Sequence, residues 1–311
     1  MKTAFLFPGQ GSQSIGMGLD LYQEFDFVRE LFEMAEETVQ MNLSRLCFKG
    51  PMEELTETVN LQPAVTIINL ACMEAVQREG IFPDVVAGHS LGEYSALCGA
   101  GVCSRPDTFK LVLKRGRFMH REALIHKGAM HAIIGLSVKQ IETLVEHAKE
   151  DGIVSIANHN TKNQIVITGS PGPVQRVSDL AAAHGARAIP LRVSGAWHSE
   201  LIRGAEKDFE DFITSIPFNP PKTSIIFNVT ADRCEDPKVI QSLMTRQLCS
   251  PVRWYDSMVR MIENEVEVVA EVGPGKVLSG LLRKIAPSDS PCKIYNIGDL
   301  KGLEKFIRAC T

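Results

Sequence analysis

Val85-Val86-Ala87-Gly88-His89-Ser90-Leu91-Gly92-Glu93-Tyr94 is the stretch that decides the reading of this chain. A short apolar run ends in Gly-x-Ser-x-Gly and passes into a segment of helical composition. That succession is the signature of a nucleophile elbow, a strand that turns sharply into a helix with a serine at the apex. Gly88 and Gly92 let strand and helix approach closely, while Ser90 Oγ projects at a helix N-terminus. Taken alone the pattern is weak. With glycine and serine at about 7% usage each, a chain of this length holds about 0.1 chance matches. A turn without chemistry is the competing reading, and the flanking strand and helix favour the elbow.

Outward from the elbow, composition sets the bounds. The 311 residues make one large domain, or one domain carrying a second, and 44% hydrophobic content supplies a real core. A formal net charge of −4 provides no basic field for nucleic acid or an anionic membrane. The apolar run at Phe5-Leu6-Phe7 is too short for a signal peptide, and no uninterrupted apolar stretch looks long enough to span a bilayer. The eight cysteines form no Cys-x-x-Cys pair, so no zinc or other metal site is expected, and free thiols in a reducing cytoplasm are the better reading.

Upstream, Thr3–Phe7 reads as a buried strand ending in Pro8-Gly9-Gln10-Gly11-Ser12-Gln13, a loop whose glycines can bring backbone N–H groups against a ligand. Ser14 stands where a dinucleotide fingerprint needs its third glycine. Helices are expected from Asp26 and over Pro63–Glu79. Downstream, Ser104 caps a helix to about Glu122 whose residues Phe109, Val112, Leu113 and Met119 share an apolar face. Lys110, Lys114 and Arg117 lie opposite. Arg115 falls at the margin of the apolar stripe, where an arginine needs an anionic partner. A structural ion pair and a bound ligand are equally good answers at this point.

Residues 129–191 have their own rhythm. Strand Met130–Leu136, a helix capped by Ser137, strand Ile153–Asn158, a turn through His159–Asn163, strand Gln164–Thr168, helix Pro173–His184 and strand Ala186–Leu191 follow in turn. That is the β-α-β-β-α-β order of a ferredoxin-like unit, inserted into a larger α/β domain. Beyond it come a helix over Glu200–Ser215, a strand at Ser224–Val229, helices at 237–248 and 254–264, and a strand at Glu265–Val272. Helix Val277–Ile285, strand Lys293–Ile297 and a helix capped by Asp299 close the chain. Strand–helix alternation in these outer parts predicts a mostly parallel sheet covered on both faces. Gly273-Pro274-Gly275-Lys276 is not a phosphate loop, because Val277 replaces the required Ser or Thr.

A serine nucleophile needs a base. Of eight histidines His198 is the best placed, in the Ser/Gly-rich loop Val193–Ser199 at a strand-to-helix junction. His89 adjoins the serine, but neighbours at an elbow point in different directions, so it is a supporting residue. No acid stands out between Ser90 and His198, where an ordinary α/β-hydrolase carries one, so a backbone carbonyl is left to orient the imidazole.

Five motifs in order then carry a resemblance over essentially the whole chain. They are Phe7-Pro8-Gly9-Gln10-Gly11-Ser12-Gln13, Gly88-His89-Ser90-Leu91-Gly92-Glu93-Tyr94, Arg115-Gly116, the Ser194 to His198 loop, and Glu271-Val272-Gly273-Pro274-Gly275. Together they resemble the malonyl-CoA:acyl carrier protein transacylases, a family that includes the acyltransferase domains of polyketide synthases. The resemblance implies an α/β-hydrolase-like core, residues 1–127 and 197–311, carrying a ferredoxin-like subdomain at 128–196. It implies Ser90 as the malonylated nucleophile, His198 as general base, and Arg115 as the clamp on the malonyl carboxylate. The backbone N–H groups of Gln10 and Leu91 match the oxyanion hole. The family supports its histidine with an asparagine carbonyl, and Ser250 stands at the matching place in Leu248-Cys249-Ser250-Pro251-Val252.

The expected reaction is ping-pong transfer of malonyl from CoA to the phosphopantetheine thiol of an acyl carrier protein, in fatty acid or polyketide synthesis. Malonyl-CoA is then a substrate, with no permanently bound cofactor, and the expected protein is a cytoplasmic monomer. An acyl hydrolase clearing carrier proteins and an inactive docking subunit are the rivals. Arg115 argues against the first, and an intact Ser90, His198 and Gln10 against the second. An acidic carrier would favour a basic patch, either Lys110, Lys114, Arg117 and Arg121 or Arg283-Lys284, although a solvated helix face explains both. Trp197, just before the histidine, either restricts the site to an unsubstituted malonyl group or packs beneath the following helix.

Overall fold

The computed structural model describes residues 2–288 and 290–310. Five strands form one wholly parallel sheet: β1 (Thr3–Phe7), β2 (Val85–Gly88), β7 (Ser224–Ile226), β8 (Val268–Val272) and β9 (Lys293–Ile297), in the order β7-β2-β1-β8-β9. The central strands β2, β1 and β8 are buried throughout because both faces are covered. Phe5, Phe7, Val86, Ala270 and Val272 join one core with the helices Asp26–Val39, Thr58–Arg78 and Arg105–Ile125. Ala4, Leu6, Val85, Ala87 and Val269 point the other way, against Trp254, Met258, Leu278 and Leu282. Pairing of Phe7 with Gly88 sets the loop after β1 beside the turn after β2.

A separate antiparallel sheet is built from β3 (Ala129–Ile134), β4 (Val154–Thr161), β5 (Gln164–Gly169) and β6 (Arg187–Pro190), in the order β4-β5-β3-β6. Helices Val138–Ala148 and Pro171–Ala183 pack on it around a core of their own. Ser137 caps the first of them with a full capping box to Gln140. The antiparallel sheet is tied to the segment before helix Trp254–Glu263, where Val252 N donates to Ala157 O (2.8 Å) and His159 N donates to Val252 O (2.9 Å). The fold is thus mixed α/β, with a parallel sheet and a distinct antiparallel one.

Several expected boundaries shift for identifiable reasons. Strand β4 runs on to Thr161 instead of turning at His159, because two register shifts absorb its polar residues and the turn shrinks to Lys162-Asn163. The helix expected from Pro63 begins at Thr58. Pro63 removes one hydrogen bond near the start, and burial of almost the whole helix outweighs that loss. Strand β7 stops at Ile226, where the chain leaves the sheet toward the elbow. Helix Thr58–Arg78 is long and apolar enough to cross a bilayer by length and composition, although Asn60, Gln62, Asn69 and Glu74 interrupt its apolar run. Here that apolarity is spent on the protein core.

Candidate active site

The elbow forms because glycine alone fits its two flanks. An added Cβ at Gly92 would lie 1.9 Å from the Phe7 carbonyl oxygen, and one at Gly88 would lie 2.0 Å from the Gly92 backbone. Between them Ser90 takes φ 51°, a left-handed conformation costly for a serine. Asn228, just past β7, holds the strained turn. Its Oδ1 accepts from Ser90 N (2.7 Å) and its Nδ2 donates to Gly88 O (2.7 Å). Strain and its restraint are paired, so Ser90 Oγ sits half-buried at the start of helix Gly92–Gly99.

Ser90 Oγ is shared by two buried partners. His198 Nε2 lies 2.8 Å away, and Arg115 Nη2 donates to the same oxygen over 3.2 Å. His198 has φ 62° and is 3% exposed. Its Nδ1 faces the Gln247 carbonyl oxygen at 2.8 Å, which assigns the proton to Nδ1 and leaves Nε2 as the acceptor facing serine. Burial first, and then the Arg115 charge, push this imidazole down to about 3, so it is neutral at rest. Where Ser250 was expected to support the histidine, the 2.8 Å carbonyl belongs to Gln247, in the 3₁₀ turn Gln247–Cys249, and the Ser250 backbone also bears on the imidazole. The turn brings its first carbonyl inward, three positions before the one read from sequence.

Arg115 is 1% exposed, lies over the Tyr94 ring and makes no ion pair among the described residues. Its Nη2 also donates to Gln247 Oε1 (3.1 Å), while its Nε has no partner among them. Burial lowers its pKa, and the nearby Tyr94 and Glu93 oppose that. Of the two sequence answers, the structural ion pair is absent. A buried cation beside a serine, with no carboxylate on it among the described residues, leaves the bound-ligand answer open.

Glu93 completes the buried polar cluster. Its Oε1 accepts from Asn228 N (2.6 Å) and its Oε2 from Gln247 Nε2. Burial pushes its carboxyl up to about 8 against those donors. His89 turns away from the serine, as expected. Its Nε2 meets Asn160 Oδ1 on β4 (2.9 Å) and its ring packs on Trp254, linking the elbow to the second sheet.

The loop after β1 lies on the elbow, since a Cβ at Gly9 would fall 2.5 Å from His89 O. The backbone N–H groups of Gln10 and Leu91 find no acceptor among the described residues. Trp197 is buried in the main core with its ring edge against Gly195. All eight cysteines are free thiols. Of the basic patch, Lys110 pairs with Asp107 and Arg121 with Asp208 and Glu122, while Lys114 lies over the rings of Phe118 and Phe212.

Sequence reasoning brought Ser90, His198 and Arg115 to one point. It missed Asn228, Gln247, Glu93 and Asn160 as parts of the cluster. The available signals were slight: an asparagine just past an apolar strand, and a buried-type helix turn leading into Ser-Pro.

Comparison with known proteins identifies the family. Residues 4–300 match the family model of the acyl transferase domain. The chain is 44% identical over 286 residues to a malonyl CoA-acyl carrier protein transacylase of Bacillus subtilis (strain 168), covering 91% of this chain and 90% of that one. It is 38% identical over 309 residues to a protein of the same description from Haemophilus influenzae, covering 98% and 99%. Among solved structures, an acyl-carrier-protein-S-malonyltransferase from Bartonella henselae superposes with a TM-score of 0.95 at 37% identity, covering 99% of each chain. A malonyl-transacylase solved in complex with a type II polyketide synthase acyl-carrier protein gives 0.95 at 35% identity, covering 99% and 100%. The chain belongs to the acyl transferase domain family and, within it, to the malonyl-CoA:acyl carrier protein transacylases.

Proposed function

We propose that this protein carries a malonyl group from CoA to the phosphopantetheine thiol of an acyl carrier protein through a malonyl ester on Ser90. The observation that carries the reading is Arg115: buried, without a carboxylate partner among the described residues, and 3.2 Å from Ser90 Oγ.

His198 Nε2 takes the Ser90 proton as Oγ attacks the thioester carbonyl carbon. The resulting oxyanion accepts from the N–H groups of Gln10 and Leu91. Collapse breaks the C–S bond, and the imidazolium returns its proton to the departing CoA thiolate. The second half runs in reverse: His198 deprotonates the carrier thiol, sulfur attacks the ester carbon, and Ser90 Oγ leaves and regains the proton. Throughout, Arg115 grips the distal carboxylate, and the Gln247 carbonyl holds Nδ1–H in place of a triad acid. His89 and Asn160 support the elbow from the second sheet.

The chemistry needs no bound cofactor, and its pathway is fatty acid or polyketide synthesis in the cytoplasm, with the chain acting as a monomer. The large part, residues 1–127 and 197–311, reads as an α/β-hydrolase-like core. Residues 128–196 read as a ferredoxin-like subdomain, supported by the strand order β4-β5-β3-β6 and its separate core.

Intact-mass measurement tests the proposal. Malonyl-CoA adds one malonyl group to the protein, and holo carrier protein removes it with transfer to its own thiol. Ser90→Ala abolishes the adduct. Persistent labelling of that variant refutes the nucleophile, and release of free malonate in place of loaded carrier identifies a hydrolase.

A further inference from the structure

Gln247 makes four hydrogen bonds from a fully buried position. Its backbone oxygen accepts from His198, its Oε1 accepts from Arg115 Nη2 (3.1 Å), and its Nε2 donates both to Ser90 O (2.9 Å) and to Glu93 Oε2. The amide orientation is forced. Arginine only donates, and Ser90 O and the Glu93 oxygen accept here, so oxygen must face Arg115 and nitrogen the other two.

The consequence lies in what the amide keeps apart. Glu93 is the carboxyl group that bears on Arg115 in this cluster, and it is held across the width of one amide rather than in contact. A direct guanidinium–carboxylate pair here would be bidentate and desolvated, and a substrate carboxylate would have to break it. With the amide between them, Arg115 is held in place by a neutral acceptor and keeps its charge available. The raised pKa of Glu93 agrees, since an acid paired directly with arginine would be pulled down.

We propose that the Gln247 side chain is a specificity-determining spacer that positions Arg115 while keeping the Glu93 carboxyl off it, so that the guanidinium is free for a carboxylate on the acyl substrate. This rests on the reading of Ser90 and Arg115 given above.

The test is the ratio of kcat/KM for Ser90 acylation by malonyl-CoA and by acetyl-CoA, read by quenched intact mass. Gln247→Glu puts a carboxylate directly on Arg115 and lowers the malonyl preference about 100-fold, mainly through KM. Gln247→Met removes the positioning acceptor and lowers the ratio about 10-fold. Glu93→Gln, with its one amide oxygen accepting from Gln247 Nε2, keeps the spacer; it slows both substrates by losing the bond from Asn228 N but holds the ratio within about threefold of the unmodified protein. A merely structural role slows both substrates together and leaves the ratio alone. That result in both Gln247 variants overturns the proposal. If they do not fold, a ratio shifted about tenfold or more by Glu93→Gln overturns it, because Glu93 would then act on Arg115 despite the spacer. Absence of any malonyl adduct on the unmodified protein instead refutes the underlying reading of Ser90.

Discussion

Arg115 Nη2 and His198 Nε2 converge on one atom, Ser90 Oγ, at 3.2 and 2.8 Å. The same oxygen therefore has a donor that stabilises its anion and an acceptor that takes its proton. In the proposed reaction the guanidinium that contacts the resting nucleophile holds the carboxylate of the bound acyl group, one methylene beyond the attacked carbonyl. Catalysis and selection meet in one cation.

Arg115→Ala lowers kcat/KM for malonyl-CoA by about 100-fold or more, because the variant loses a bidentate ionic contact in a buried site. Acetyl-CoA makes no such contact, so its relative rate rises. The measurement is competitive acylation of Ser90 with the two thioesters at equal concentration. An unchanged preference removes the clamp from the mechanism.

Acylation of the free protein stays flat on the acid side. His198 is held down to about 3 by burial and by Arg115, so it remains a neutral base well below the range of an ordinary histidine. Between pH 7 and pH 5, an unperturbed imidazole would lose about twentyfold in kcat/KM. Here the loss is less than about twofold. The linked effect on stability has a definite sign. Because the folded pKa lies below the unfolded one, the neutral imidazole contributes stability above about pH 6.5 that is lost as pH falls toward 3.

Glu93 predicts the opposite slope. Its carboxyl is raised to about 8 by burial, so the folded state holds a proton that the unfolded state releases from about pH 4.5 upward. Stability from this group is full below pH 4.5 and is lost as pH climbs to 8. Urea titrations of the protein and of Glu93→Gln from pH 5 to pH 8.5 check this: the variant gains relative stability as pH rises. A pH-independent difference between the two refutes the shifted carboxyl.

Gly92→Ala tests the elbow itself. Its new Cβ would meet the Phe7 carbonyl oxygen at 1.9 Å, and that oxygen belongs to a central strand that cannot retreat. The cost exceeds about 4 kcal/mol, in the range of the most damaging single substitutions. Thermal melting reads it, and a variant within about 1 kcal/mol of the parent would show that strand and helix are less tightly joined than described.

Local spacing carried much of this structure. The capping roles of Ser104 and Ser137 and the strands Thr3–Phe7 and Lys293–Ile297 depend on neighbours within a few residues, and such patterns are legible along the chain. Arg115 was legible as an oddity, a cation at the edge of an apolar stripe, though not as unpaired. Asn228 and Gln247 were invisible as parts of the site, since they reach Ser90 from 138 and 157 positions away. A lone polar side chain has no period, so nothing in the sequence marks which distant groups it will meet. Ser250 illustrates the same limit: the need for a carbonyl was readable, but which carbonyl points inward was set by a 3₁₀ turn.

By itself, then, the sequence determined the elbow at Gly88–Gly92, the alternation behind two sheets, and the family to which the five ordered motifs belong. These follow from steric rules and periodicities that act between near neighbours. Only the tertiary structure decided that Arg115 has no carboxylate partner among the described residues, that Gln247 holds both His198 and Arg115, and that Asn228 restrains the strained serine. Each of those facts is a matter of which buried polar groups find one another. Burial makes every unmet donor or charge costly, and that cost is settled only when the whole chain has closed around them.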